Sequence, residues 1–266
     1  MDPPVTATLL ATALPGLAVA LALTTLVWLV SLIRRDASII DIFWGPGFIL
    51  LAWFYRAEVP LESFRQTLVP ALVTVWGLRL AIHIFRRNRG LGEDYRYAAM
   101  RQKWGGRFAL ISLPTVFWLQ GVLLWLIAMP LLQVQIRPQP LRGSWLDLSG
   151  LTLFSIGLFF EAVGDYQLAR FKADPAHRGQ VLDRGLWRYT RHPNYFGDAT
   201  LWWGLGLFAL STPHSVWTLV SPALMSFLIV KISGVALLEK GLESRKPGYA
   251  SYAKRTSAFI PWPPRG

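Results

Sequence analysis

The sequence predicts an all-α, polytopic membrane protein with seven transmembrane helices, and three observations predict it. Apolar residues make up 53% of the 266 and charged residues only 16%, with a mean hydropathy of +0.37, whereas a soluble domain carries about 25% charged residues. Runs of roughly 20 apolar residues, enough to cross ~30 Å of hydrocarbon, recur along the whole chain. The 13 Trp, 15 Phe and 8 Tyr exclude a disordered basic chain, which lacks such core-forming surface. Helices are required because open strands would leave unpaired backbone groups in lipid. With no cysteine, disulfides, thiolate metal sites and cysteine nucleophiles are all excluded, and no metal site is expected.

The first apolar run, near 7–33, follows Met1-Asp2-Pro3-Pro4, which lacks a basic start. It is too long for a signal h-region and is expected to be retained as a span. The second, 38–56, opens on Asp41. The third, 67–85, holds Arg79 and His83 and is closed by Arg86 and Arg87. The fourth, 108–132, is followed by an outer loop turned by Pro138 and Pro140. The fifth, 146–168, ends in Glu161 and Asp165. The sixth, 196–212, begins at about Pro193, since proline suits a helix's first turn, where its missing N–H is not needed. The seventh, 216–238, carries Lys231 and runs into Glu239 and Lys240.

Loop charge sets the expected orientation. Of the 27 Lys and Arg, 21 fall in loops after odd-numbered spans and in the tail, against Arg56, Arg65, Arg137 and Arg142 on the other side. The positive-inside rule then puts the N-terminus outside and the C-terminus in the cytoplasm, in the inner membrane. The net charge of +12 therefore needs no nucleic acid. Topology and attraction to anionic lipid, about 1 kcal/mol per residue near the surface, account for it. No repeat or linker divides the chain, so residues 1–266 are expected to form one membrane domain. About 36–132 would supply the substrate side and about 146–262 the cofactor side.

An ionisable residue inside a span is by default a functional candidate. Asp41, Arg79, His83, Glu161, Asp165, Asp198, Lys231 and Glu239 all fall toward the expected cytoplasmic half, as for a cavity open to that side and not a pore. Asp36, Lys240 and Glu243 are read instead as snorkelling residues or helix ties. Glu161 and Asp165 stand apart: i, i+4 spacing places two like charges on one face, which needs a cationic or hydrogen-bonding partner.

The most specific stretch is Gly185-Leu-Trp-Arg-Tyr-Thr-Arg-His-Pro-Asn-Tyr-Phe-Gly-Asp198. It ends in a helix N-terminus, whose free N–H groups attract anions. Arg188 and Arg191 add phosphate-seeking guanidiniums. Trp187, Tyr189 and Tyr195 offer aromatic faces, while His192, Asn194 and Asp198 offer polar partners. These are the parts of a nucleotide site, without the glycine pattern of a Rossmann or P-loop fold.

Together with Asp165-Tyr166, the ending Gly248-Tyr249-x-x-Tyr252 and Ser257-Ala-Phe-Ile-Pro261, this stretch resembles the steroid 5-alpha-reductase family. The resemblance is strongest to its uncharacterised bacterial branch, which shares Asp41-Ile-Phe-Trp-Gly45 and Arg86-Arg-Asn-Arg-Gly90, and it runs from about 36 to 262. It implies a seven-helix reductase holding NADPH in a cytoplasm-facing pocket. By motif, Asp165, Asn194, Asp198, Arg87 and Tyr252 fall on cofactor-binding positions. Lys172 stands where the family has arginine, and Glu161 where it has asparagine.

The implied chemistry is conjugate reduction of a lipophilic α,β-unsaturated ketone, with hydride to the β-carbon and an acid polarising the carbonyl. Asp41 corresponds to the family's acidic residue and is the expected acid, the alternative being a cap on span two. The family's ketone-binding tyrosine falls on or beside Ile84, which leaves the adjacent His83 as a replacement donor. The Arg-His-Pro-Asn-Tyr core also occurs in membrane methyltransferases of the isoprenylcysteine and phospholipid type, so S-adenosylmethionine is the alternative cofactor. No obligatory protein partner is evident.

Overall fold

The computed structural model describes residues 5–60, 63–136, 143–233, 239 and 246–265. Arg137, Pro138, Pro140, Arg142, Lys240, Glu243, Arg245 and residues 234–238 of the seventh apolar run lie outside the described residues. The described part is all-helical, with a single isolated parallel bridge between Thr190 and Ser257 in place of any strand. Five helical stretches are long and apolar enough to cross a membrane: Leu9–Arg34, Ala37–Ala57, Arg65–Asn88, Tyr95–Ile127 and Trp145–Ala173. A shorter apolar helix covers Val216–Ile232.

Contacts group the chain into two compact units, Met1–Arg142 with Ser211–Thr218, and Gly143–Leu210 with Leu219–Gly266. Unit 1 contains α1 (Val5–Arg34), a 3₁₀ turn Ala37–Phe43, α2 (Trp44–Ala57), α3 (Arg65–Asn88), α4 (Tyr95–Trp104), α5 (Phe108–Ser112), α6 (Leu119–Ile127) and α7 (Met129–Ile136). Without a hydrophobic force between helices in lipid, close approach depends on small residues. In unit 1, α2 and α3 meet where Gly45 lies on Gly77, and a Cβ on Gly45 would run into the Gly77 carbonyl. Beside this crossing the fully buried Phe48 and Trp76 rings lie 5.7 Å apart. Indole N–H groups then tie helices to backbone: Trp125 donates to the Ala13 carbonyl at 2.8 Å and Trp28 to that of Ala109 at 2.9 Å.

The fourth apolar run differs most from its expected form. Tyr95–Ile127 is one helical stretch broken by a 3₁₀ turn at Gly105–Arg107 and a π-helical segment at Leu113–Trp118, which holds Pro114. A proline ring cannot accept the regular i→i−4 ladder, and the widened turn absorbs it. The run is then interrupted at Ala128 before α7.

Unit 2 is built on α8 (Trp145–Ala173) and α9 (Pro193–Leu210), with α10 (Val220–Phe227), a π-helical segment Leu228–Ser233 and α11 (Tyr249–Arg255). Helix α8 starts on a capping box: Ser144 Oγ receives the Asp147 N–H, and Asp147 Oδ2 receives the Ser144 N–H. It runs 29 residues, past the apolar stretch and into Arg170 and Lys172, cations that suit a helix C-terminus.

Candidate functional site

Glycines stand every seven residues on α8 (Gly150, Gly157, Gly164) and on α9 (Gly197, Gly204). They face one another. A Cβ on Gly157 would come 2.5 Å from the Gly197 oxygen and the Leu201 nitrogen, and one on Gly204 2.8 Å from the Phe154 nitrogen. The two backbones are thus in contact, and that contact places the polar groups. Glu161, four residues past Gly157, abuts Gly197. Asp165, one residue past Gly164, faces the first turn of α9, where Asn194 Nδ2 donates to its Oδ1 at 3.0 Å. Glu161 and Asp165 are only 3% and 5% exposed. Asp198 Oδ1 is buried one turn along α9 from Asn194. Asn194 Oδ1 is buried as well, and no donor among the described residues reaches it. Four of the expected cofactor residues are therefore brought together where α9 begins.

Others of the expected set do structural work. The Arg191 guanidinium donates to Glu239 Oε1 at 2.7 Å and to the Ala253 and Thr256 carbonyls, both at 2.8 Å. The His192 ring, 3% exposed, lies 3.2 Å from the same Glu239 oxygen and stacks on Tyr195. Tyr252 donates to the Trp187 carbonyl at 2.5 Å, and the Trp187 indole donates to the Gly164 carbonyl. Residues 256–262 run along the motif: Arg191 N–H reaches the Ser257 carbonyl, Thr190 Oγ1 the Phe259 carbonyl, and Trp262 N–H the Tyr189 carbonyl. The two stretches singled out in the sequence are one substructure. Lys172, Arg188 and Tyr189 are exposed.

Burial holds the His192 imidazole below its ordinary value of 6.5, although Glu239 pulls the other way. The unfolded chain therefore takes up that proton more readily, so stability is intact above about pH 6.5 and is lost as pH falls below it. Thermal melts of the detergent-solubilised protein are expected to be flat from pH 8 to 7 and to fall below 6.5. The fall between 6.5 and 5.5 should be absent in His192→Gln. A wild-type profile flat down to pH 5.5 would contradict this.

The second cluster belongs to unit 1. Asp41 sits in the 3₁₀ turn Ala37–Phe43 and caps nothing: Asp36 caps that turn through the Ser38 N–H, and α2 begins without a side-chain cap. Asp41 Oδ2 accepts from Arg96 Nη2 at 2.9 Å and Oδ1 from the Tyr97 hydroxyl at 2.8 Å. Gln120 Nε2 donates onward to the Tyr97 oxygen at 3.3 Å, and Gln120 Oε1 accepts from the Trp44 indole at 2.6 Å. Arg96 is braced by Asp94 at 2.8 Å. Arg87, also in this unit, is close enough to act electrostatically on Asp41 and Asp94. The hydrogen-bond partners found at Asp41 are Arg96 and Tyr97; His83, the expected donor, is half-buried on α3. Tyr97, Arg96 and Gln120 were not singled out by the sequence. Its one hint is a Tyr95-Arg96-Tyr97 cluster directly after two acids, which charge counting absorbs into topology.

A family model described as "Protein of unknown function (DUF1295)" matches residues 27–256, which takes in both clusters. An uncharacterized protein of Schizosaccharomyces pombe is 27% identical over 276 residues, spanning 92% of this chain and 78% of the yeast protein. No solved structure matches the chain significantly.

Proposed function

The chain belongs to the DUF1295 family, whose description assigns no activity, and we propose that it is an NADPH-dependent membrane oxidoreductase that reduces a lipophilic α,β-unsaturated ketone. In this proposal α9 and the apolar helix at Val216–Ile232 complete seven spans. The Asn194 cluster faces the cytoplasm at the inner membrane, and substrate comes from the lipid.

The observation that carries it is the meeting of buried Glu161 and Asp165 with half-buried Asn194 where α9 begins, the buried Asn194 Oδ1 lacking a donor among the described residues. A buried acceptor without a donor costs about 1–3 kcal/mol, which a ligand N–H or O–H would recover. The polar set fits NADPH: amide and carboxylate oxygens suit ribose hydroxyls and a carboxamide, and the positive end of the α9 dipole suits phosphate. When bound, the cofactor supplies the hydride.

The chain's own groups supply the rest. Both Asp41 oxygens accept hydrogen bonds, the arrangement of a carboxylate anchored by Arg96. We therefore assign the polarising O–H to Tyr97 and give Asp41 the task of orienting it. Rotation about the Tyr97 C–O bond turns the proton from Asp41 to a ketone oxygen, while Arg96 keeps Asp41 compensated and Gln120 holds the phenol oxygen. Negative charge building on the ketone oxygen then meets a fixed donor.

Nucleotide extraction from protein purified in mild detergent tests the cofactor class without knowledge of the substrate. Retained NADPH or NADP⁺ is expected; retained S-adenosylmethionine would point to methyl transfer instead. Asn194→Ala and Asp198→Ala should each weaken NADPH binding at least tenfold, about 1.4 kcal/mol. Unchanged affinity in both would remove the site assignment.

A further inference from the structure

Unit 2 carries a cleft of about 530 Å³ around the C-terminal end of α8 and the loop that follows, and no residue to which a catalytic or cofactor-binding role is given above lines it. Tyr166 and Arg170 project into it from the last turns of α8, and Phe171, His177 and Arg184 form the rest of its distinctive wall. The Phe171 and His177 rings are stacked, 4.4 Å between centroids and 16° from parallel. Asp174 Oδ2 lies 3.4 Å from His177 Nδ1. The Arg184 guanidinium lies 3.2 Å from His177 Nε2 and 5.8 Å from the Phe171 ring centre. Arg170 Nη1 lies 3.4 Å from the Tyr166 hydroxyl, and Tyr166 is 62% exposed.

The cleft therefore combines two permanent forked cations with exposed aromatic surface. Guanidinium forks select phosphate, and aromatic faces accept a planar base, with stacking worth about 1–3 kcal/mol per base. The negative end of the α8 dipole opposes an anion here, so its affinity must come from the arginines. The geometry points to a site for a phosphomonoester on a purine nucleoside. Resting on the coenzyme proposed above, it is the seat of the adenosine 2′-phosphate and makes the protein choose NADPH over NADH.

The test uses the full chain in detergent and measures dissociation constants for NADPH, NADH and 2′,5′-ADP. Wild type is expected to prefer NADPH over NADH by at least thirtyfold. Arg170→Gln and Arg184→Gln are each expected to lose about tenfold for NADPH and 2′,5′-ADP while NADH stays within twofold. Both arginines are exposed, so folding should survive, and a melt matching wild type checks that it does. Unchanged NADPH affinity in both variants, or a parallel loss for NADH, overturns the cleft assignment and leaves the coenzyme intact. Arginine-dependent binding of 2′,5′-ADP without binding of either dinucleotide overturns the coenzyme and leaves the cleft. Binding of none of the three overturns both.

Discussion

Gly197→Ala, the addition of one methyl group, is expected to destabilise unit 2 by roughly 3 kcal/mol, the upper part of the usual overpacking range, and to abolish retention of NADPH. The new Cβ would meet the Gly157 carbonyl oxygen and lie 2.5 Å from the Glu161 backbone nitrogen. Those neighbours are backbone, which cannot rotate away, so the two helices must separate. Separation at this level pulls Glu161 and Asp165 away from Asn194, whose hydrogen bond to Asp165 spans only 3.0 Å. Stability and binding are thus expected to fail together. Gly106→Ala is the control: a Cβ there meets nothing within 4 Å and the backbone is not left-handed, so its melt should match wild type within about 0.5 kcal/mol. A Gly197→Ala protein that melts like wild type and still retains NADPH would remove the glycine seam as the feature that builds the site.

That seam was written in the sequence as two seven-residue spacings, but hydropathy does not register it, because glycine is nearly neutral on such scales and the pairing partner lies on another helix. What hydropathy registers is the inside of each span. The runs 67–85 and 146–168 correspond to helices Arg65–Asn88 and Trp145–Ala173. Both helices continue beyond the apolar stretch, since backbone hydrogen bonding does not stop where lipid does. The start of α9 at Pro193 was legible from proline's one favoured helical position. The Asp165–Asn194 contact was legible only through the motif. Arg191 shows a further limit: its charge and neighbours announce phosphate, while its Nε donates to Glu239 and its Nη1 to two carbonyls. No local pattern could reveal this, because those partners lie 48 to 65 residues away. Asp41 and Tyr97 present the same difficulty, separated by 56 residues and joined only once α4 folds back on the 3₁₀ turn.

Tyr97→Phe should lower turnover about a hundredfold, the low end of what a positioned proton donor contributes, and leave NADPH affinity within twofold. The assay is NADPH oxidation with whichever lipophilic cyclic enone the wild-type protein reduces. Removing the hydroxyl leaves Asp41 its Arg96 partner at 2.9 Å and Arg96 its brace on Asp94, so no charge is stranded and the fold should persist. Asp41→Asn separates the two roles within this pair. An amide at that position still meets Tyr97 but can turn its NH₂ toward the phenol oxygen, and it weakens the hold on Arg96. Its loss of turnover should therefore be smaller than that of Tyr97→Phe if Asp41 orients, and larger if Asp41 is itself the proton donor. His83→Ala is expected to leave turnover within threefold. Turnover of Tyr97→Phe within threefold of wild type, with Asp41→Asn inactive, would return the acid to Asp41; equal loss of turnover and NADPH affinity in both would make this cluster a tie between helices and nothing more.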